Sequence, residues 1–168
     1  MSNIERVDVA IVGAGTAGLA ALREVRKRTD NFVLINVGPY GTTCARVGCM
    51  PSKTLIAAAN AFHARTRFDE FGIRGGETLA ADIPAVLHRV RVLRDHFVSG
   101  VLKATEDLGG RNITAHARLD GPNQLIAGER IIEAKQIVLA PGSSPIVPKP
   151  WRAFGERIIT SDTLFEQK

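Results

Sequence analysis

Val7-Asp-Val-Ala-Ile-Val12 runs straight into Gly13-Ala-Gly15-Thr-Ala-Gly18, and no other feature of this 168-residue chain restricts its fold so tightly. A short, β-branched apolar run ending in glycine reads as a buried parallel strand. Helical periodicity follows through Leu19, Leu22 and Val25 to about Arg28, and Phe32–Ile35 reads as a second strand. Strand, glycine turn, helix and strand within about 30 residues form the unit of the dinucleotide-binding α/β fold. Each glycine has its own task there. Gly13 permits the tight turn, Gly15 lets a pyrophosphate approach the backbone, and Gly18 lets helix and strand pack closely. The phosphates then lie over the helix N-terminus, with its unpaired N–H groups and positive dipole end.

At the end of the second strand this fold calls for an acidic side chain that holds a ribose hydroxyl. Asn36 occupies that place. Its amide can still bond a hydroxyl, about 1 kcal/mol more weakly than a charged carboxylate would.

Farther along, Ser52–Arg67 is alanine-rich and reads as a helix starting just past Pro51. Phe71–Thr78, with three glycines, reads as a loop or short strand. Asp82 is placed to cap a long helix reaching about Leu108, with Pro84 in its first turn. Its apolar stripe, Ile83, Val86, Leu87, Val90, Leu93, Phe97, Val101 and Leu108, is most simply core-facing. Gly109-Gly110 ends it. Asn112–Leu119, Gln124–Ala127, Arg130–Ile132 and Gln136–Leu139 then read as short strands, a meander folded over one face of a parallel sheet. The expected architecture is α/β: a Rossmann-like domain over residues 1–150 with a central parallel sheet, flanking helices and this small antiparallel meander. Residues 151–168 read as a connection leaving it.

The net charge of +5 raises the question of nucleic acid, but the basic residues are scattered apart from Arg23–Arg28 and His88–Arg94, both on amphipathic helices. Aromatic residues make up 5%, too few for a base-stacking platform. Nucleic acid is therefore not an expected partner. No apolar run approaches the roughly 18 residues of a membrane span, and the first residues lack the layout of a secretory signal. The expected compartment is the cytoplasm. Closely spaced cysteines there are more often catalytic or metal-binding than structural.

The two cysteines of the chain are Cys44 and Cys49. In a continuous helix that spacing amounts to about 7.5 Å of rise, outside the roughly 4.4–6.8 Å between Cα atoms of a disulfide. A bridge needs a local kink, for which Gly48 and Pro51 are suited. The pair reads as a strained redox switch. A nearby Lys53 and a helix N-terminus would lower a cysteine pKa, as thiol–disulfide exchange requires. The four histidines show no ligand spacing with the cysteines, and no metal site is expected.

Gly41-Thr42-Thr43-Cys44-Ala45-Arg46-Val47-Gly48-Cys49-Met50-Pro51-Ser52-Lys53 resembles the redox-active signature of the flavoprotein disulfide reductases, the pyridine nucleotide-disulfide oxidoreductase family. With the fingerprint at Gly13–Gly18 and the late Ala140-Pro141-Gly142, the resemblance covers the whole chain in the family's order. It implies FAD, its pyrophosphate cradled by Gly13, Gly15, Thr16, Ala17 and Gly18 and its adenosine ribose facing Asn36. Thr42, Thr43 and Gly48 would lie along the cofactor, and Lys53 near the flavin ring. Ala117 would contact the adenine through its backbone, and Ala140 and Gly142 would pack against the cofactor. Cys49 would be the thiol facing the flavin and Cys44 the interchange thiol. Electrons would pass from NAD(P)H through FAD to the disulfide, then to a dithiol/disulfide substrate such as lipoamide.

Three departures stand out. Thr42 replaces a glycine, Pro141 a frequent Thr, and Arg46 a common Asn between the cysteines. Arg46 reads either as a charge favouring thiolate or an anionic substrate, or as a solvated surface side chain. Pro51-Ser52-Lys53 fits the dihydrolipoamide dehydrogenase and mercuric reductase types. The family's NAD(P)H-binding domain would begin just past Glu166, and its dimerisation domain later still. The chain is thus expected to be the FAD/disulfide portion of a homodimeric parent, inactive alone. The competing readings are a non-catalytic nucleotide-binding or thiol-sensing module and a mercuric reductase-like parent.

Overall fold

The computed structural model describes residues 4–168. Its strands are β1 (Ile4–Val12), β2 (Phe32–Asn36), β3 (Asn112–Thr114), β4 (Ala117–Leu119), β5 (Gln124–Ala127) and β6 (Arg130–Leu139). They form one sheet in the order β3-β2-β1-β6-β5-β4. β1 pairs in parallel with β2 and β6, and β2 with β3; β5 runs antiparallel to β4 and β6. The helices are α1 (Thr16–Val25), α2 (Thr43–Arg46), α3 (Cys49–His63), α4 (Ile83–Glu106) and α5 (Ser161–Leu164). This is the α/β, Rossmann-like architecture expected from the sequence. None of its helices is long and apolar enough to cross a membrane, among the described residues.

The chain divides into two units, Met1–Thr43 with Val98–Ser143 and Cys44–Phe97 with Ser144–Lys168. In the first, two apolar layers sandwich the parallel strands. On one side Val9, Ile11, Phe32 and Leu34 meet Leu22 of α1 and Leu108. On the other, Val7, Ala10, Val33, Ile35 and Ile113 share a core with Leu125, Ala127, Ile132 and Ala134 of the meander. The meander therefore covers a face, but not as a separate layer. β6 runs unbroken through Glu133-Ala134, where two strands were expected, and Asn112–Leu119 is two strands rather than one.

A break in the pleat lets one sheet do this. Side chains along a strand alternate faces, yet Val7 and Ala10, three apart, point into the same core, as do Ala134 and Ile137. The ladder between β1 and β6 omits the Asp8–Lys135 pair at that step, and Lys135 reaches Asp8 at 2.7 Å. Past this step the sheet curls. A Cβ on Gly128, in the β5–β6 turn, would lie 3.5 Å from the Cβ of Ala115 beyond β3, although β5 and β3 are far apart in strand order.

In the second unit α3 begins at Cys49, so Pro51 lies inside its first turn, where a missing N–H costs nothing. The helix ends at His63, earlier than expected, and the chain tightens into a 3₁₀ segment, Ala64–Phe71. Gly76–Thr78 is a further 3₁₀ turn rather than strand. Arg65 fastens the two, its guanidinium 4.2 Å above the Phe62 ring and donating to the Gly76 carbonyl at 3.3 Å. Asp82 caps α4 as expected, its Oδ1 accepting from the Ala85 N–H at 3.0 Å. Arg91 of α4 donates to the carbonyls of Phe165 and Gln167, which holds the segment after α5. Of the expected stripe on α4, Leu87 and Val90 are buried, whereas Ile83 and Phe97 are exposed.

Candidate functional site

The carboxyl ends of β1, β2 and β6 converge on the glycine turn. The Gly13 N–H donates to the Ile35 carbonyl at 2.7 Å, and the Ala140 N–H to that of Val12 at 2.7 Å. Ligands of open parallel sheets bind at such ends. Gly13 has φ +104°, and a Cβ on it would lie 2.0 Å from the Ala140 oxygen. A Cβ on Gly18 would lie 1.8 Å from the Gly13 oxygen. Neither position has room for a methyl group. At Gly15 the reverse holds, since nothing lies within 4 Å of the place a Cβ would occupy.

Gly15 also precedes α1, whose first turn contains no acidic residue and leaves Thr16 and Ala17 exposed. Open space above a glycine, uncommitted N–H groups and the positive end of a helix are what a pyrophosphate requires. The residues present thus fit a dinucleotide such as FAD.

Asn36 differs from its sequence reading. Its Oδ1 accepts from the Ala14 N–H at 3.1 Å, and its Nδ2 donates to the Gly38 carbonyl at 3.3 Å. One N–H and one lone pair of the amide remain for a ribose. Asn36 is therefore a strut of the glycine turn as well as a candidate ligand group. Ala14 and Gly38, its partners, were not singled out by sequence reasoning. A strand-ending Asn shortly before a glycine was the signal available. Because Ala14 is buried, Asn36→Ala strands its N–H and is expected to cost about 1–3 kcal/mol, seen as a lower thermal midpoint. Asn36→Asp keeps the acceptor and most of that stability.

Of the other positions expected to line a cofactor, Thr42, Thr43, Ala117, Ala140 and Gly142 fall in the same unit. Thr42 is half-buried and Thr43 exposed. Ala117 packs half-buried against the meander core, and Gly142 turns at φ +75° with open space around it. Tyr40, which the sequence did not mark, ties the loop after β2 to β3 by donating to Asn112 Oδ1 at 2.7 Å.

Cys44, Gly48, Cys49 and Lys53 belong to the second unit. The kink inferred from the spacing is present. α2 ends at Arg46, and Gly48, with φ −123° and ψ −116°, breaks the helix before α3 starts at Cys49. Both cysteines are free thiols and exposed. Across the break they hydrogen-bond each other, and this contact is the main cause that pushes the Cys44 thiol above its ordinary value; partial desolvation and the charge of Cys49 add to it. The Cys49 backbone N–H, the first of α3, and the Lys53 ammonium pull the other way and are outweighed. The expected lowering by helix end and lysine is therefore real in sign but overruled at Cys44, because two thiols in contact compete for ionisation. No group of three or more His, Cys, Asp or Glu side chains able to hold a metal ion occurs among the described residues.

A glycine-turn α/β sheet, followed by two thiols paired across a helix break, defines a nucleotide-fold protein with a dithiol centre. The chain belongs to the pyridine nucleotide-disulphide oxidoreductase family, whose pattern matches residues 7–168. It is 30% identical to the dihydrolipoyl dehydrogenase of Trypanosoma brucei brucei, over 93% of this chain and 34% of that protein. Identity to the dihydrolipoyl dehydrogenase of Bacillus subtilis is 32%, over 91% of this chain and 34% of the relative. The mercuric reductase of Streptomyces lividans is 34% identical over 84% of this chain and 31% of its own length. The chain spans about a third of the length of these curated relatives.

Proposed function

We propose that this chain is the FAD-binding, redox-disulfide part of an NAD(P)H:disulfide oxidoreductase of the dihydrolipoamide dehydrogenase type. The observation that carries the reading is the dithiol, with Cys44 and Cys49 in contact across the Gly48 break at the start of α3 and within reach of the Lys53 charge. In this reading residues 1–150 form the FAD-binding domain and 151–168 lead toward an NAD(P)H-binding domain. The parent is a cytoplasmic homodimer.

Gly13 and Gly18 shape the turn, Gly15, Thr16 and Ala17 receive the pyrophosphate, and Asn36 offers its remaining N–H to the ribose. Thr42, Thr43, Gly48, Ala117, Ala140 and Gly142 line the rest of the cofactor, and Lys53 adds positive charge beside the thiols. Bound FAD supplies two-electron exchange between a nicotinamide and a disulfide. The Cys44 thiolate attacks one sulfur of a disulfide substrate such as lipoamide, forming a mixed disulfide and releasing the other sulfur as a thiolate. Cys49 then attacks Cys44, which closes the protein disulfide and releases the second thiolate. Two protons, one from each cysteine, go to the product dithiol.

The test is the visible spectrum of the purified chain, before and after anaerobic reduction with stoichiometric dithiol. A flavin spectrum that gains a long-wavelength band on reduction is the expected result. A colourless protein that also refuses added FAD would overturn the assignment for this chain.

The identity to a mercuric reductase favours a second reading, in which the same dithiol receives a thiophilic metal ion as substrate. Tight, stoichiometric Hg(II) binding that is competent for reduction, without exchange on lipoamide, would favour it.

A further inference from the structure

We propose that the dithiol prefers anionic substrates, small disulfides bearing a carboxylate a few bonds from the S–S group, and that Arg46 confers the preference. This rests on the reading of Cys44 and Cys49 as an exchange dithiol.

Three observations support it. Arg46 stands two residues after Cys44 and three before Cys49, so its Cα lies within about 7 Å of that of Cys44. Arg46 as a residue is half-buried, and its side chain has no hydrogen-bond or ion-pair partner among the described residues. A guanidinium without a partner is free to take a ligand carboxylate in the bidentate geometry that arginine favours.

The surrounding sequence also protects that charge from neutralisation. None of the 17 acidic residues lies between Asp30 and Asp69, a stretch that holds Arg46 and Lys53 besides the dithiol; Arg67, at its far end, is paired with Glu70. Neither α2 nor α3 has an acid in its first turn. Arg46 and Lys53 have no ion-pair partner among the described residues, and such charge near the thiols raises the encounter rate of anions.

Lys53 does not explain the arrangement by itself. Its charge acts on the Cys44 sulfur, whereas Arg46 is not among the leading influences on that thiol. The two cations have separate tasks, one toward the protein sulfur and one toward the incoming molecule. The exchange is the one already described: the Cys44 thiolate displaces one substrate thiolate, Cys49 displaces the other, and the substrate is reduced by two electrons as the dithiol is oxidised.

The experiment measures exchange of the reduced chain with three matched aliphatic disulfides: 3,3′-dithiodipropionate, a dianion; bis(2-hydroxyethyl) disulfide, neutral; and cystamine, a dication. In the Arg46→Gln variant the rate with the dianion should fall about 3- to 10-fold, the neutral rate stay unchanged and the cystamine rate rise. Arg46→Lys should restore most of the preference, and added salt should compress it. The neutral probe also reports whether the variant is folded. Equal changes with all three probes, accompanied by a shifted pH–rate profile, would place Arg46 on the thiol and overturn the proposal. So would no change with any of them.

None of these rates needs a bound flavin. A chain that refuses FAD yet discriminates by charge loses the cofactor assignment and keeps this one. A flavin-loaded chain without discrimination loses this one alone. A chain that exchanges with no disulfide overturns both.

Discussion

Gly18→Ala is expected to destabilise the protein and Gly15→Ala to leave it folded, although both glycines belong to one six-residue motif. A methyl at Gly18 would enter to 1.8 Å from the Gly13 carbonyl oxygen. Backbone on both sides cannot yield as a side chain could, so helix and turn must separate. The cost is set at roughly 3 kcal/mol, a drop of about 6–12 °C in thermal midpoint for a protein of this size. At Gly15 the backbone has φ −81° and ψ −166°, open to any L-residue, and the added Cβ meets nothing within 4 Å. Stability should then stay within about 1 kcal/mol of the parent. The empty space above Gly15 is instead where the proposed pyrophosphate passes, so Gly15→Ala should weaken FAD binding at least about tenfold, or 1.4 kcal/mol. Thermal denaturation and flavin-fluorescence titration of both variants separate the two roles. Unchanged FAD affinity in Gly15→Ala would remove the phosphates from this turn.

Cys49→Ala should make Cys44 more reactive toward alkylation at neutral pH. Two of the causes that hold the Cys44 thiol up, the hydrogen bond from the neighbouring thiol and its charge, leave with the Cys49 side chain. The two that draw it down, the first N–H of α3 and the Lys53 ammonium, remain. The sign follows directly. A thiol whose pKa falls has a larger thiolate fraction at any pH below that value, and the thiolate is the reacting form. The pH midpoint for iodoacetamide labelling should lie below that of the parent, and Lys53→Ala in the same background should move it back up. Unable to close a protein disulfide, Cys49→Ala should also accumulate a mixed disulfide with its substrate, readable as one added substrate mass. A midpoint that stays in place would mean that contact between the thiols does not govern Cys44.

Both predictions depend on distances the sequence could only suggest. Gly13 and Gly18 were recognisable because crowding there leaves no room for a Cβ, at Gly13 on a positive φ as well; Gly15 was recognisable from its place in the motif, since its own backbone would accept any residue. The kink between the cysteines was legible for a similar reason, since five residues of straight helix cannot bring two sulfurs together and Gly48 was the residue free to break it. Asn36 was legible as a place but not as a contact. Nothing in its neighbours along the chain says that its amide would be spent on the Ala14 N–H and the Gly38 carbonyl. The meander was read as four runs because Glu133-Ala134 resembles a break, but pairing with β1 carries one strand across it.

What the sequence by itself determined were the periodicities and obligatory residue types: the strand–turn–helix unit, the capped long helix, and the dithiol signature with its lysine. These are local, set by sterics and hydrogen bonding within a few residues. The tertiary structure alone decided which face of β1 and β6 meets which core past Asp8 and Lys135. It also decided how the sheet curls to bring Gly128 to Ala115, how Asn36 divides its hydrogen bonds, and which way the Cys44 thiol shifts. Each of these is a competition between partners distant in the chain or separated by a helix break. Its outcome depends on distances that close only when the whole fold forms.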